Sequence, residues 1–298
     1  MKRIIPAIIL LACLPTALSA EDPDSLAFAR ADWSISALPK GGEVRTASIA
    51  MFGGIQTVSI ASYPSGRYRT GIVEGEGLSR EELTVKRGHA SHASRTSALA
   101  GAAKGKIAIN GNYFNMRSFS PVSYTRIGKT VYGRTSPAEA AARTKGVFAM
   151  NRSGRRVDIF SADTVQCDAT VPEWYGVMAA GPVLIEEGVP CHYTAEDGFY
   201  DKRHPRSLAG YTLSPGGKTG RIYMIVIDGR FPGKADGASI EECVKICRYL
   251  GLHEAINLDG GGSSTLWTSE TGVVNHPGDN RKWDHEGERP VPNILVAR

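Results

Sequence analysis

The chain has 298 residues, 42% of them hydrophobic and 22% charged, and past its first twenty residues it holds no apolar run long enough to cross a bilayer. Its formal net charge is +5, with the basic residues scattered. The densest group, "NRSGRR" at 151–156, reads as a hairpin turn, whereas a nucleic-acid footprint needs a continuous basic face; nucleic acid is therefore excluded as the expected partner.

The first segment, "MKRIIPAIILLACLPTALSA" (1–20), carries two positive charges, a short apolar centre and small residues at its end, the pattern of an export signal. The expected location is periplasmic or extracellular, with no membrane span in the remaining chain. Two processing routes stay open: cleavage after Ala20, or lipid modification of Cys13 as a membrane anchor. Removal of the segment leaves Cys167, Cys191, Cys243 and Cys247, an even number in an oxidising compartment. Cys167 and Cys191 flank a loop-rich stretch and are candidates to pair. Cys243 and Cys247 share a helix face with Ile240 and Leu250, and read as small buried apolar groups in preference to a disulfide.

With 34 glycines and 16 prolines, the chain favours many short strands over a helix bundle. Strands are predicted at 45–52, 57–63, 70–75, 106–111, 146–151, 157–162, 175–181 and 183–188, and helical periodicity is confined to about 91–103 and 239–250. No repeat or linker divides the chain after residue 40. The expected fold is α+β, a twisted mixed β-sheet with flanking helices, in one domain over 21–298.

In the C-terminal third, "SLAGYTL" (207–213) and "RIYMIVI" (221–227) are joined by "SPGGKTG" and predict an antiparallel hairpin, with Leu213 opposite Arg221 and Arg206 opposite Asp228. Ser239 and Glu242 have capping-box spacing ahead of the second helix, and Gly251 stands where a helix stop is expected. The strand "AINL" (255–258) follows. Strand, helix and strand in that order predict that 222–227 and 255–258 run parallel, so Asp228-Gly229 and Asp259-Gly260 end on the same sheet edge, where ligands of such sheets bind.

That edge holds the candidate site. Gly260, Gly261 and Gly262 either form a tight turn or an anion-binding nest of main-chain N–H groups, with Ser263 and its neighbours adding hydroxyls. Arg206 offers a planar fork suited to a phosphate or carboxylate. Asn110 and Asn112, in "AINGNYFN", read as turn chemistry or as sugar hydrogen-bonding groups.

The motifs "INGNYF", "AAGPVLIEEG", "HPRSLAGYT", "IDGR", "LGLHEAINLDGGGSSTLW", "VVNHP" and "GERPVPN" resemble, in this order, the phosphodiester glycosidase family. The resemblance spans about 90–298; residues 21–90 match none of its motifs. It implies a hydrolase that cuts the C1–O bond of a sugar-1-phosphodiester, releasing free sugar and a phosphate monoester. In that chemistry Arg206 and the glycine loop would stabilise the departing phosphate, and Asp228 and Asp259 are the candidate catalytic carboxylates. Position by position, the family pattern adds Asn110, Asn275 and Arg289 to the site, with Asn275 brought back by the turn at "SETG" toward 264–266. The expected substrate is a phosphorylated carbohydrate, with cell-wall or exopolysaccharide sugars the leading class. A second reading is a non-catalytic binding or assembly protein for phosphorylated glycans. No cofactor is expected; two aspartates and several hydroxyls leave Ca²⁺ or Mg²⁺ open, without the ligand spacing of a known loop type.

Overall fold

The computed structural model of the protein describes residues 22–75, 93–135, 144–162, 173–193 and 198–298; the export segment with Cys13, and also Cys167, lie outside them. In chain order the strands are β1 (Ser34–Leu38), β2 (Gly42–Met51), β3 (Gly54–Pro64), β4 (Thr70–Glu74), β5 (Ile107–Asn110), β6 (Thr125–Ile127), β7 (Thr130–Gly133), β8 (Gly146–Met150) and β9 (Val157–Ser161). They continue as β10 (Gly176–Ala180), β11 (Val183–Glu186), β12 (Val189–Pro190), β13 (Arg206–Leu213), β14 (Thr219–Ile227), β15 (Glu254–Asn257), β16 (Leu266–Thr268), β17 (Gly272–Val273) and β18 (Asn293–Ala297). Helices α1 (Pro23–Ala29), α2 (Thr96–Ala102), α3 (Gly198–Asp201) and α4 (Ile240–Tyr249) are short. Each segment read as a strand from its alternation is one.

Three sheets form, with orders β1-β2-β3-β14-β13-β15-β11-β12, β7-β6-β10-β8-β9 and β17-β16-β5-β18-β4. The expected single mixed sheet is therefore corrected. Each hydrogen-bonded strand pair among the described residues is antiparallel, which suits short strands joined by tight turns. The three sheets share one apolar core, in which Tyr63, Met224 and Ile256 of the first meet Phe148 and Met178 of the second and Ile109 and Leu295 of the third.

The outer face of the large sheet is covered by α4. Ser239 accepts from the Glu242 amide while Glu242 accepts from that of Ser239, the predicted capping box. Ile240, Cys243, Ile246 and Cys247 are buried and pack with Leu208, Ile225 and Ile227, as the period of 3.6 dictates. Each such side chain contributes roughly 1.5–3 kcal/mol on burial. Burial also pushes the Cys243 thiol up to about 12 and Cys247 well above its ordinary value, so both are inert apolar filling.

Strands β14 and β15 flank β13 and are each antiparallel to it. They run parallel to each other in one sheet, and their carboxyl ends, Asp228 and Asp259, emerge on one edge as the sequence predicts. The hairpin register is corrected: Arg206 lies opposite Ile227, one residue from the expected Asp228, and Leu213 opposite Thr219, two from the expected Arg221, the further step arising at an irregularity between Tyr211 and Leu213.

Candidate active site

The first component forms where β14 ends. Asp228 is 1% exposed. Its Oδ1 accepts from Asn275 Nδ2 at 2.8 Å and from the His276 amide at 3.1 Å; its Oδ2 accepts from the same amide at 3.0 Å and faces His276 Nδ1 at 3.2 Å. The carboxylate thereby orients an imidazole. That ring stacks on Trp283, with centroids 3.7 Å apart and planes 6° from parallel, and has His285 at 4.5 Å on its centroid. Asn275 returns to the loop as expected: its Oδ1 accepts from the Leu266 amide at 2.8 Å, and its Nδ2 also donates to Ser264 O at 3.1 Å.

The second component is the glycine loop after β15. Three of its main-chain N–H groups are engaged within the protein: Gly261 donates to Pro205 O at 2.8 Å, Ser263 to Gly260 O and Ser264 to Gly261 O, both at 3.3 Å. Of the three glycine amides read as a possible anion nest, that of Gly261 is therefore taken up by Pro205 O. The glycines also permit close approach. A Cβ on Gly260 would stand 2.7 Å from Pro205 O, one on Gly261 2.9 Å from Arg230 Nη2, and one on Gly262 2.4 Å from both Arg289 Nη2 and Asp279 Oδ1. Two guanidinium groups thus lie over consecutive glycines; with adjacent Cα atoms about 3.8 Å apart, they stand within about 12 Å of each other.

The two arginines differ. Arg289 forms an ion pair, its Nε and Nη2 reaching Asp279 Oδ1 at 3.0 and 2.6 Å. Arg230 is exposed and, among the described residues, has no hydrogen-bond or ion-pair partner. Its backbone sits at φ 70°, the left-handed region that costs an L side chain roughly 1–2 kcal/mol. Such strain concentrates at functional sites. Asp259, partly exposed, begins the loop; its amide donates to Gly111 O at 3.0 Å and its carbonyl accepts from Asn110 Nδ2 at 2.6 Å.

Several residues expected at the site are placed elsewhere. Arg206 is 2% exposed; its Nε donates to Ala238 O at 2.9 Å and its Nη2 to Phe199 O and Lys202 O at 2.5 and 3.2 Å, with the guanidinium over the Phe199 ring. It ties β13 to α3 and the start of α4, on the opposite face from Asp228. Asn110 is buried and accepts from Ser207 Oγ and the Thr265 amide through Oδ1. Asn112, also buried, donates to Thr125 Oγ1, Ser123 O and Ala179 O and accepts from Asn293 Nδ2. Both asparagines join strands beneath the loop. The Ser263 hydroxyl is fully buried without a hydrogen-bond partner among the described residues, as are those of Ser264 and Thr265. His276 and Arg230 were not singled out by sequence reasoning, although each directly follows a residue or step that was: Asn275, and Asp228-Gly229.

Among the described residues no group of three or more His, Cys, Asp or Glu side chains is arranged to hold a metal ion, and no helix is long and apolar enough to cross a membrane. The sequence profile of the phosphodiester glycosidase family matches residues 103–298. The chain belongs to that family. In fold it is similar to the zebrafish N-acetylglucosamine-1-phosphodiester alpha-N-acetylglucosaminidase catalytic domain, solved in a form auto-inhibited by its pro-peptide, at TM-score 0.60 and 17% identity over 89% of this chain and 87% of that one. It is also similar to a hypothetical protein from Synechocystis, at TM-score 0.56 and 16% identity over 89% and 63% of the two chains. A search of curated protein sequences found no match.

Proposed function

We propose that the protein is an exported hydrolase that cleaves a sugar-1-phosphodiester at C1–O, giving free sugar and a phosphate monoester, with an envelope or extracellular glycan as substrate. The observation that carries this reading is the gathering of Asp259, the Asp228–His276 pair and the Arg230 and Arg289 guanidinium groups around one glycine loop. Family membership supports the reaction class.

The division of labour follows from burial. A phosphate leaving group departs as a weakly basic anion and needs positive charge more than a proton. Arg230, exposed and without a hydrogen-bond or ion-pair partner among the described residues, is the group to supply it, in place of Arg206. As C1–O breaks, its electron pair passes to the phosphate oxygen and C1 takes on positive charge. Asp259 faces that charge or removes a proton from the attacking water, whose oxygen becomes the new hydroxyl on C1. Asp228 is too buried to touch substrate; it holds His276, whose ring is placed to accept or return a proton and to bind a sugar hydroxyl. The direct test is incubation of the purified protein with a panel of sugar-1-phosphodiesters, reading free sugar. Release from at least one is expected, and release from none would reduce the protein to a binder of phosphorylated glycans.

A further inference from the structure

Away from the glycine loop, a cavity of about 470 Å³ opens between β9, the end of β11 and the start of β15. Asp158, Glu173, Glu186, Glu187 and Glu254 line it, and Arg156 is the one cationic residue among the described residues that do so. Carboxyl groups thus crowd one hollow of a chain whose net charge is +5. Glu254 precedes Asp259 by five residues along β15 and its continuation, which places the cavity about 16 Å from Asp259, at the other end of the strand.

Two of these carboxyl groups are held by the fold. Glu186 accepts from the Ser161 amide at 2.7 Å and from the Ser161 hydroxyl at 2.9 Å, and Asp158 accepts from the Tyr211 hydroxyl at 3.0 Å. Glu254 is different. It is 5% exposed; its Oε1 accepts from the Glu187 amide at 2.8 Å and faces His253 Nε2 at 3.7 Å, but its Oε2 is buried without a hydrogen-bond partner among the described residues. Glu254 stands opposite Tyr211 and shares the inner face of the sheet with Ile256, so an acid occupies a place where the alternation calls for a core residue. Arg156 does not compensate it. Its guanidinium lies over the Trp174 ring, 4.7 Å from the centroid, and forms no ion pair among the described residues. Residues 163–172, which join Ala162 to Glu173 in the chain, include Asp163 and Asp168 and no Lys, Arg or His.

We propose that this cavity binds an aliphatic di- or polyamine, one ammonium group pairing with Glu254 Oε2 and another with the exposed carboxylates of Glu173 and Glu187. An ammonium group has three donors and no acceptor, which matches a hollow rich in acceptors. Ile159, Phe160 and Ala162 line the same space and suit a methylene stem. A metal ion fits less well, because no three His, Cys, Asp or Glu side chains among the described residues are arranged to hold one, and a space of this size suits a small molecule. A neutral ligand would leave the buried carboxylate uncompensated. The site is independent of the glycosidase reading, and its test needs no turnover.

That test is calorimetric titration of the purified protein with spermidine and cadaverine, with 1,5-pentanediol and calcium chloride as controls. At pH 8 the Glu254 carboxyl, which burial raises to about 7, is ionised, and both amines are cationic. Each amine is expected to bind with Kd below about 1 mM at roughly physiological ionic strength, and the diol not to bind. Glu254→Gln should weaken amine binding by about tenfold, with a thermal melt to check folding. Glu173→Gln combined with Glu187→Gln changes two exposed side chains, should leave the fold intact and should weaken spermidine binding by about fivefold. Absence of amine binding to the wild type, undiminished binding in either variant, equal binding of the diol, or calcium binding tighter than that of both amines would each overturn the assignment.

Discussion

Arg206 lies directly across the β13–β14 ladder from Ile227, one residue short of Asp228. In a strand that single step reverses the face a side chain occupies. Arg206 therefore shares the helix-covered face with Ile227 and donates to Ala238 O, Phe199 O and Lys202 O, while its neighbour Ser207 points inward and donates to Asn110 Oδ1 at 2.7 Å. The guanidinium groups over the glycine loop come instead from Arg230, two residues past Asp228, and from Arg289.

This exchange of roles separates two variants. Arg206→Ala would leave the buried Ala238 carbonyl and the partly buried ones of Phe199 and Lys202 without their donor, at roughly 1–3 kcal/mol for a fully buried group, and would empty the space of a buried side chain, so a loss of about 3 kcal/mol in unfolding free energy is expected. Arg230→Ala removes an exposed side chain without a hydrogen-bond or ion-pair partner among the described residues and should shift stability by less than about 0.5 kcal/mol. Its effect should appear in catalysis, as a rise in KM and a fall in kcat/KM of about 10–100-fold, because a phosphate contact forms in both the bound and the transition state. Urea denaturation and steady-state kinetics of the two proteins distinguish the assignments; a stable, kinetically impaired Arg206→Ala would reverse them.

Gly262 offers a test of the close approach itself. A methyl group there would stand 2.4 Å from Arg289 Nη2 and Asp279 Oδ1, so Gly262→Ala must push that ion pair aside. Both displaced atoms are side-chain ends, which can swing away, and the fold should survive. The expected outcome is a loss of kcat/KM of the size seen in Arg289→Ala, with the double variant no worse than either single one. Additive losses in that cycle would mean that Gly262 and Arg289 act independently.

The two aspartates should behave differently although both stand at strand ends. Asp259→Asn keeps the size of the side chain and removes the charge that the developing oxocarbenium or the attacking water requires. kcat is expected to fall by about 10³-fold or more with KM changed by less than about threefold. Asp228→Asn should lower kcat and also loosen the fold, since the buried carboxylate accepts from Asn275 and the His276 amide. Undiminished kcat in Asp259→Asn would remove it from the reacting groups.

Much of this arrangement was legible in the sequence. Alternation found the strands, the capping box found α4, and the strand–helix–strand order found the common edge of Asp228 and Asp259. Single-residue register was not legible, because the irregularity between Tyr211 and Leu213 is a local backbone choice with no compositional mark. Nor was the purpose of the three glycines. The pattern "DGGGSS" is compatible with an amide nest and with close approach by side chains, and the guanidinium groups that approach it come from residues 230 and 289, each at least 27 positions away in the chain. Asn110 and Asn112 were ambiguous for a related reason: an asparagine at or just past a strand end looks the same whether it meets solvent, a sugar or, as here, buried main-chain and hydroxyl groups.

Away from the site, Glu254 provides a pH signature of folding. It is 5% exposed at the start of β15, and burial raises its carboxyl from 4.5 to about 7, helped by Asp158, Glu186 and Glu187 nearby and opposed by the Glu187 amide, which donates to it at 2.8 Å. One of its oxygens, Oε2, is buried without a hydrogen-bond partner among the described residues. Because the folded state holds this proton more tightly than the unfolded chain, the cost of ionising it is absent below about pH 4.5, grows as pH rises and is complete above about 7. The upper bound is about 3 kcal/mol, at 1.36 kcal/mol per unit. Glu254→Gln keeps a neutral side chain at every pH, so the variant should match the wild type near pH 4.5 and become progressively more stable than it toward pH 7.5. Thermal or urea unfolding of both proteins across that range provides the measurement. A gap that is constant with pH, or that widens toward acid, would show that Glu254 is ionised in the folded protein.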